Sequence, residues 1–118
     1  VENDIRNAVI RKVDILIERG ILTVWLHLEF GSGGQAFGGY YLHSLSRKDY
    51  KVTDFGGHAG HFIMRVLEIV GVEHWDELKG KPVRVRGNSE RITTIGNFIK
   101  DEWFNPSIEF EIEIKSGN

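Results

Sequence analysis

Residues 21–30 read Ile-Leu-Thr-Val-Trp-Leu-His-Leu-Glu-Phe, and a Gly-Ser-Gly-Gly turn follows directly. Leu22, Val24, Leu26, Leu28 and Phe30 fall on one side of an extended chain, and Thr23, Trp25, His27 and Glu29 on the other. This period of two predicts a strand with one buried face. The turn sends the chain back through Gln-Ala-Phe-Gly-Gly-Tyr-Tyr-Leu-His, a second strand. A sheet built on Ile21–His43 is therefore the frame into which the other segments must fit.

Upstream, residues 5–18 form another long strand. Ile5, Val9, Val13, Ile15 and Ile17 are assigned to one face, interrupted by Asn7 and Arg11, with Arg6, Lys12, Asp14 and Glu18 on the other. Arg19-Gly20 suits a two-residue hairpin loop, because glycine tolerates the positive φ that such loops need. That loop places Ile17 opposite Leu22, Ile15 opposite Val24 and Val13 opposite Leu26, apolar against apolar at each step. Across the Gly-Ser-Gly-Gly turn, placing Phe30 opposite Gln35 predicts Leu28–Phe37, Leu26–Gly39 and Val24–Tyr41 pairs. Gly39 would then leave bare sheet on the core side for a helix to approach. The opposite face would pair Trp25 with Tyr40 and His27 with Gly38, beside Lys12 and Asp14.

Ser44–Gly57 reads as a polar linker with a short strand near Tyr50–Val52. Ala59, Phe62, Ile63, Val66, Leu67 and Val70 then follow the spacing of a core-facing helical stripe. His58, His61, Arg65 and Glu68 form its polar stripe, Thr53 or Asp54 lies near its start, and Gly71 is a suitable stop. Glu73–Leu78 reads as one more helical turn, ended by Gly80. The rest reads as strands: Pro82–Arg86 with Val83 and Val85 inward, Arg91–Lys100 with a bulge at Gly96, and Ile108–Ile114 with Glu109, Glu111 and Glu113 along one side. Asp101–Pro106 is a loop between the last two. The predicted fold is one α+β domain. A curved antiparallel sheet of five to seven strands carries one main helix on its concave apolar face, with a partly closed barrel as the variant.

The chain has 118 residues, 41% of them apolar, enough for an ordinary core without covalent staples. With no cysteine it has no disulfide, no thiolate metal site and no cysteine nucleophile. Its apolar runs are too short for a transmembrane helix and no signal-peptide pattern opens it, so the expectation is a soluble, cytoplasmic protein with no membrane partner. A net charge of -2 exerts no general attraction on nucleic acid.

Three constellations compete as sites. Trp25, His27 and Tyr40 with Lys12 and Asp14 form a candidate binding face; the competing reading is an aromatic pair covered by other chain. Arg84, Arg86 and Arg91 with Trp103 form a candidate single-stranded nucleic-acid surface, where cations hold phosphates and an aromatic ring stacks on bases. A solvated strand face whose cations oppose edge pairing explains the same residues. His58 and His61, three apart on a helix, could share a metal with Asp54 or His43, yet they lack the glutamate of the HExxH pattern and a third ligand of diagnostic spacing. Three glutamates in a row on a strand would face water, a basic partner, or Arg84 and Arg86. No serine sits in a nucleophile elbow, and neither Gly-rich stretch has P-loop or dinucleotide-binding spacing, so no catalytic residue and no cofactor is assigned.

The stretches GSGGQAFGG (31–39), RVLEIVGV (65–72), WDELKGK (75–81) and DEWF (101–104) together resemble a family of small uncharacterised proteins encoded by phages and prophages. The likeness spans residues 5–106. It implies a mobile-element setting and no particular activity, and no site residue is carried over from it. With the missing catalytic signatures, it favours a non-enzymatic accessory or anti-defence factor that binds a host protein. Single-stranded nucleic-acid binding and a metal-dependent enzyme on His58 and His61 are the alternatives.

Overall fold

A computed structural model describes residues 4–31, 33–44, 57–88 and 90–116. The chain forms strands β1 (Asp4–Glu18), β2 (Ile21–Phe30), β3 (Gly33–Gly38) and β4 (His43–Ser44), then helix α1 (Ala59–Val70) and a 3₁₀ turn at Trp75–Glu77. Strands β5 (Pro82–Gly87), β6 (Ile92–Gly96) and β7 (Trp103–Phe104) and helix α2 (Pro106–Ser116) complete it. One antiparallel sheet runs β3-β2-β1-β5-β6-β7, and short β4 also pairs with β2. The fold is α+β, and the sheet is not closed into a barrel. Its curl brings β3 towards the β5–β6 turn, where Gln35 donates to the Asn88 carbonyl at 3.3 Å.

The first hairpin has the expected register: Ile17 pairs with Leu22, Ile15 with Val24 and Val13 with Leu26. Arg19 and Gly20 have φ of 52° and 80°. Both residues are left-handed, as in a type I′ loop, whose twist matches that of the strands it joins. The first half of β1 departs from the expected facing. A bulge between Ile10 and Lys12 adds a residue and switches parity. Ala8 and Ile10 therefore enter the core, while Ile5 and Val9 face outward at 50% and 37% exposure. Arg6 shares the inner side, its guanidinium 4.5 Å from the Phe30 ring centroid and donating to Gln35 Oε1 at 2.9 Å.

The second hairpin is tighter than expected. Phe30 pairs with Gly33, Leu28 with Gln35, Leu26 with Phe37 and Trp25 with Gly38. The register differs by two residues from the sequence expectation, so Phe37 still faces inward. The Trp25–Tyr40 pair does not form. Gly39, at φ 77°, ends the strand, and Tyr40 packs into the core against Phe37, Phe62 and Phe110. The Trp25 indole covers Gly39 from the outer side, so Gly39 is not the core-side gap that was expected to admit a helix.

Helix α1 buries Phe62, Val66 and Ile69 against the sheet and ends at left-handed Gly71, whose N–H donates to the Leu67 carbonyl at 2.8 Å. His58 occupies its N-cap with no capping bond from its side chain; Thr53 and Asp54, expected near the start, lie outside the described residues with Tyr50–Val52. Of the expected strand Arg91–Lys100 only Ile92–Gly96 is strand, and a second short strand, β7, falls in the expected loop Asp101–Pro106. The bulge lies at Arg86/Gly87 rather than Gly96.

Ile108–Ile114 is helix and not strand. Asn105 starts it: its Oδ1 accepts the Ile108 N–H at 3.2 Å and its carbonyl accepts the Glu109 N–H at 3.0 Å. Pro106 opens the first turn, where its missing N–H costs nothing. Two helices, not one, therefore cover the sheet. Phe37, Phe62 and Phe104 are fully buried at their meeting point, and Phe110 of α2 closes the cluster.

Candidate functional site

Three groups of side chains remain once the core is accounted for. The first ties α2 to α1. Arg65 donates to both carboxylate oxygens of Glu109, at 2.9 and 3.0 Å, and to the Trp103 carbonyl at 2.8 Å. It also pairs with Glu68 one helical turn on. His61 Nε2 lies 2.8 Å from Glu109 Oε1, and the His58 ring stacks on Phe110 with centroids 4.2 Å apart. Burial pushes the Glu109 pKa up, but the bonds to Arg65 and His61 outweigh it and hold the carboxyl below its ordinary value. The bond to Glu109 raises the Arg65 pKa against the opposing effect of burial, and Glu68 adds to the rise.

The two histidines considered as candidate metal ligands are thus engaged in helix docking. Among the described residues no group of three or more His, Asp or Glu could hold a metal ion, and Asp54 lies outside them. Glu109 serves Arg65 and His61, so of the alternatives for the glutamates, pairing with Arg84 and Arg86 does not occur for it. A helix does not keep residues 109, 111 and 113 on one side.

The second group lies on the outer side of β1 and β2. Bulge and hairpin together align Lys12 with His27 and Asp14 with Trp25. His27 Nε2 lies 2.8 Å from Asp14 Oδ2, and Lys12 Nζ 3.7 Å from the same oxygen. The Trp25 indole N–H donates to Glu18 at 2.9 Å, and that carboxylate also accepts the Thr23 hydroxyl at 3.0 Å. Four of the five residues expected on this face are brought together; Tyr40 is not among them. Glu18, which orients the indole, was assigned to this face without a role, because only the hairpin register brings it to Trp25.

The third group is the outer side of β5–β7. Arg84 and Arg86 project outward, 4.7 and 4.0 Å from the Trp103 ring centroid. The indole rests on Gly96, where a methyl group would overlap the ring. Arg91 joins a different group, 5.0 Å from the Tyr40 ring. The loop after β6 is heavily tied. Asn97 Oδ1 accepts the N–H groups of Ile99 and Lys100 at 2.9 and 2.7 Å, and its amide donates to the Ile69 carbonyl at 2.8 Å. Arg84 donates to the carbonyls of Asn97 and Lys100 at 2.8 and 2.7 Å. This loop holds Phe98 and Ile99 in solvent at 42% and 85% exposure. Phe98 also lines a groove of about 370 Å³ with Ala8, Val9, Phe30 and Pro82, and with Asn7 and Glu29 at its polar margin. Sequence reasoning missed this site by reading 91–100 as continuous strand; the available signal was Gly96-Asn97, a pair that favours turns.

Comparison with protein-family models, curated proteins and solved structures finds no match to this chain. Among the described residues no helix is long and apolar enough to cross a membrane.

Proposed function

We propose that this chain is a non-enzymatic binding module that docks on another protein through the outer face of its sheet. The resemblance to phage-encoded proteins makes a host protein in the cytoplasm the expected partner. One observation carries the reading. Both helices pack on the inner face, while the outer face keeps Ile5, Val9, Phe98 and Ile99 exposed with no layer over them among the described residues. Exposed apolar clusters with charged surroundings are characteristic of protein-binding surfaces.

Single-stranded nucleic-acid binding is less well supported. Trp103 rests on Gly96 and carries arginines over its ring, so the proposed stacking platform is already occupied. A metal-dependent enzyme is less well supported still, since His61 and His58 hold α2.

Cross-linked affinity capture from a bacterial host tests the reading. The wild type is expected to retain a specific protein that Trp25→Ala, Ile99→Ser, or both release, with melting temperature unchanged in Ile99→Ser. Capture of no specific protein, or capture indifferent to both substitutions, counts against it.

A further inference from the structure

We infer that the surface around Phe98 and Ile99 takes an acidic peptide segment of the partner, with one bulky apolar side chain in the groove beside Val9. This rests on the protein-binding reading above and adds the chemistry of the ligand.

Three features share this surface. Ile5 lies opposite Arg86, Asn7 opposite Arg84 and Val9 opposite Pro82, so two cations and the apolar Ile5, Val9 and Pro82 share one side of a strand pair. The groove between Val9, Phe30, Pro82 and Phe98 is concave and mainly apolar, with room for a leucine or an aromatic ring. Charge supplies the third feature. Among the described residues Arg84, Arg86 and Lys100 form no ion pair with a carboxylate. The nearby loop carboxylates are Asp101, already bound to the Trp103 indole N–H at 2.7 Å, and Glu102. Glu29, at the groove's margin, is paired with Arg11 at 2.7 Å. Among the described side chains the cations are therefore in excess, and a ligand with carboxylates complements them.

Concavity separates the occupants. A membrane would take the projecting Ile99 but has no side chain to fill a groove, and a nucleic-acid strand would leave the apolar residues unsatisfied. An acidic segment with an apolar anchor satisfies the groove and the cations together. The loop geometry is set in advance by Asn97 and Arg84, so binding loses little ordering entropy.

Fluorescence anisotropy with labelled peptides tests this. The probe carries Asp and Glu on both sides of a central Leu-Phe pair. One control replaces the acids by Asn and Gln, and another replaces Leu-Phe by Ser-Ser. Vesicles rich in phosphatidylserine and an oligo-dT strand complete the set. The full probe is expected to bind at least about tenfold more tightly than either control, to weaken as salt rises, and to lose about tenfold on Ile99→Ser or Arg86→Ala. Circular dichroism of both variants confirms folding. Equal binding of probe and controls, no binding of the probe, or preferential binding of vesicles or oligonucleotide overturns the inference. Host-protein capture lost on Trp25→Ala but retained by Ile99→Ser and Arg86→Ala also overturns it, while leaving the broader reading standing.

Discussion

The contact between α1 and α2 and the outer side of β5–β7 treat charge in opposite ways. On the inner side, Arg65, Glu109, His61 and Glu68 satisfy one another, and the rings of Phe37, Phe62, Phe104 and Phe110 pack together. On the outer side at β5–β7, Arg84 and Arg86 bond carbonyls or stand over an indole, with no carboxylate partner among the described residues. Two large apolar side chains are held in water beside them. An arrangement that serves folding closes its own hydrogen bonds and ion pairs. One that serves a partner leaves some open, at a small cost to the isolated chain. The β1–β2 part of the outer face is intermediate, since Lys12, Asp14 and His27 largely satisfy each other.

This contrast can be broken by stability measurements. Phe37→Ala removes a fully buried ring at the centre of the aromatic cluster and is expected to cost about 3–5 kcal/mol in urea unfolding. A loss near that of a surface substitution would mean that the inner face is not the folding face.

Glu109→Gln keeps the side-chain shape but removes the charge facing Arg65 and His61, and is expected to cost about 1–2 kcal/mol at neutral pH. The same variant sharpens the comparison through pH. The folded pKa of Glu109 lies below its ordinary value of 4.5. Its contribution is therefore whole above that value and fades as pH falls through the lower folded pKa. The variant should show a shallower loss of stability with acid than the wild type. Equal slopes would show that the carboxylate does not secure α2.

Smallest of all is the expected effect of Ile99→Ser on folding. The side chain is 85% exposed, so the unfolding free energy should stay within about 0.5 kcal/mol of wild type. A larger loss would make the loop part of the folding core and weaken the contrast between the faces.

Much of the architecture was legible in the sequence. The strict alternation of Ile21–Phe30 and the Arg19-Gly20 loop determined the first hairpin and its register, because a one-residue slip would turn every leucine outward. The 3.6-residue stripe and Gly71 likewise determined α1. Other features were settled only by tertiary contacts. The parity switch at Arg11 follows from β1 pairing with β5 along its first half and β2 along its second, which no local pattern records. Ile108–Ile114 alternates as a strand would, yet Asn105 and Pro106 start a helix there. Arg65 and the aromatic cluster then supply partners for Glu109 and Phe110. Local periodicity determined which segments can bury one face. Which charges find partners, and so which surface is left open, depended on residues far apart in the chain meeting in space.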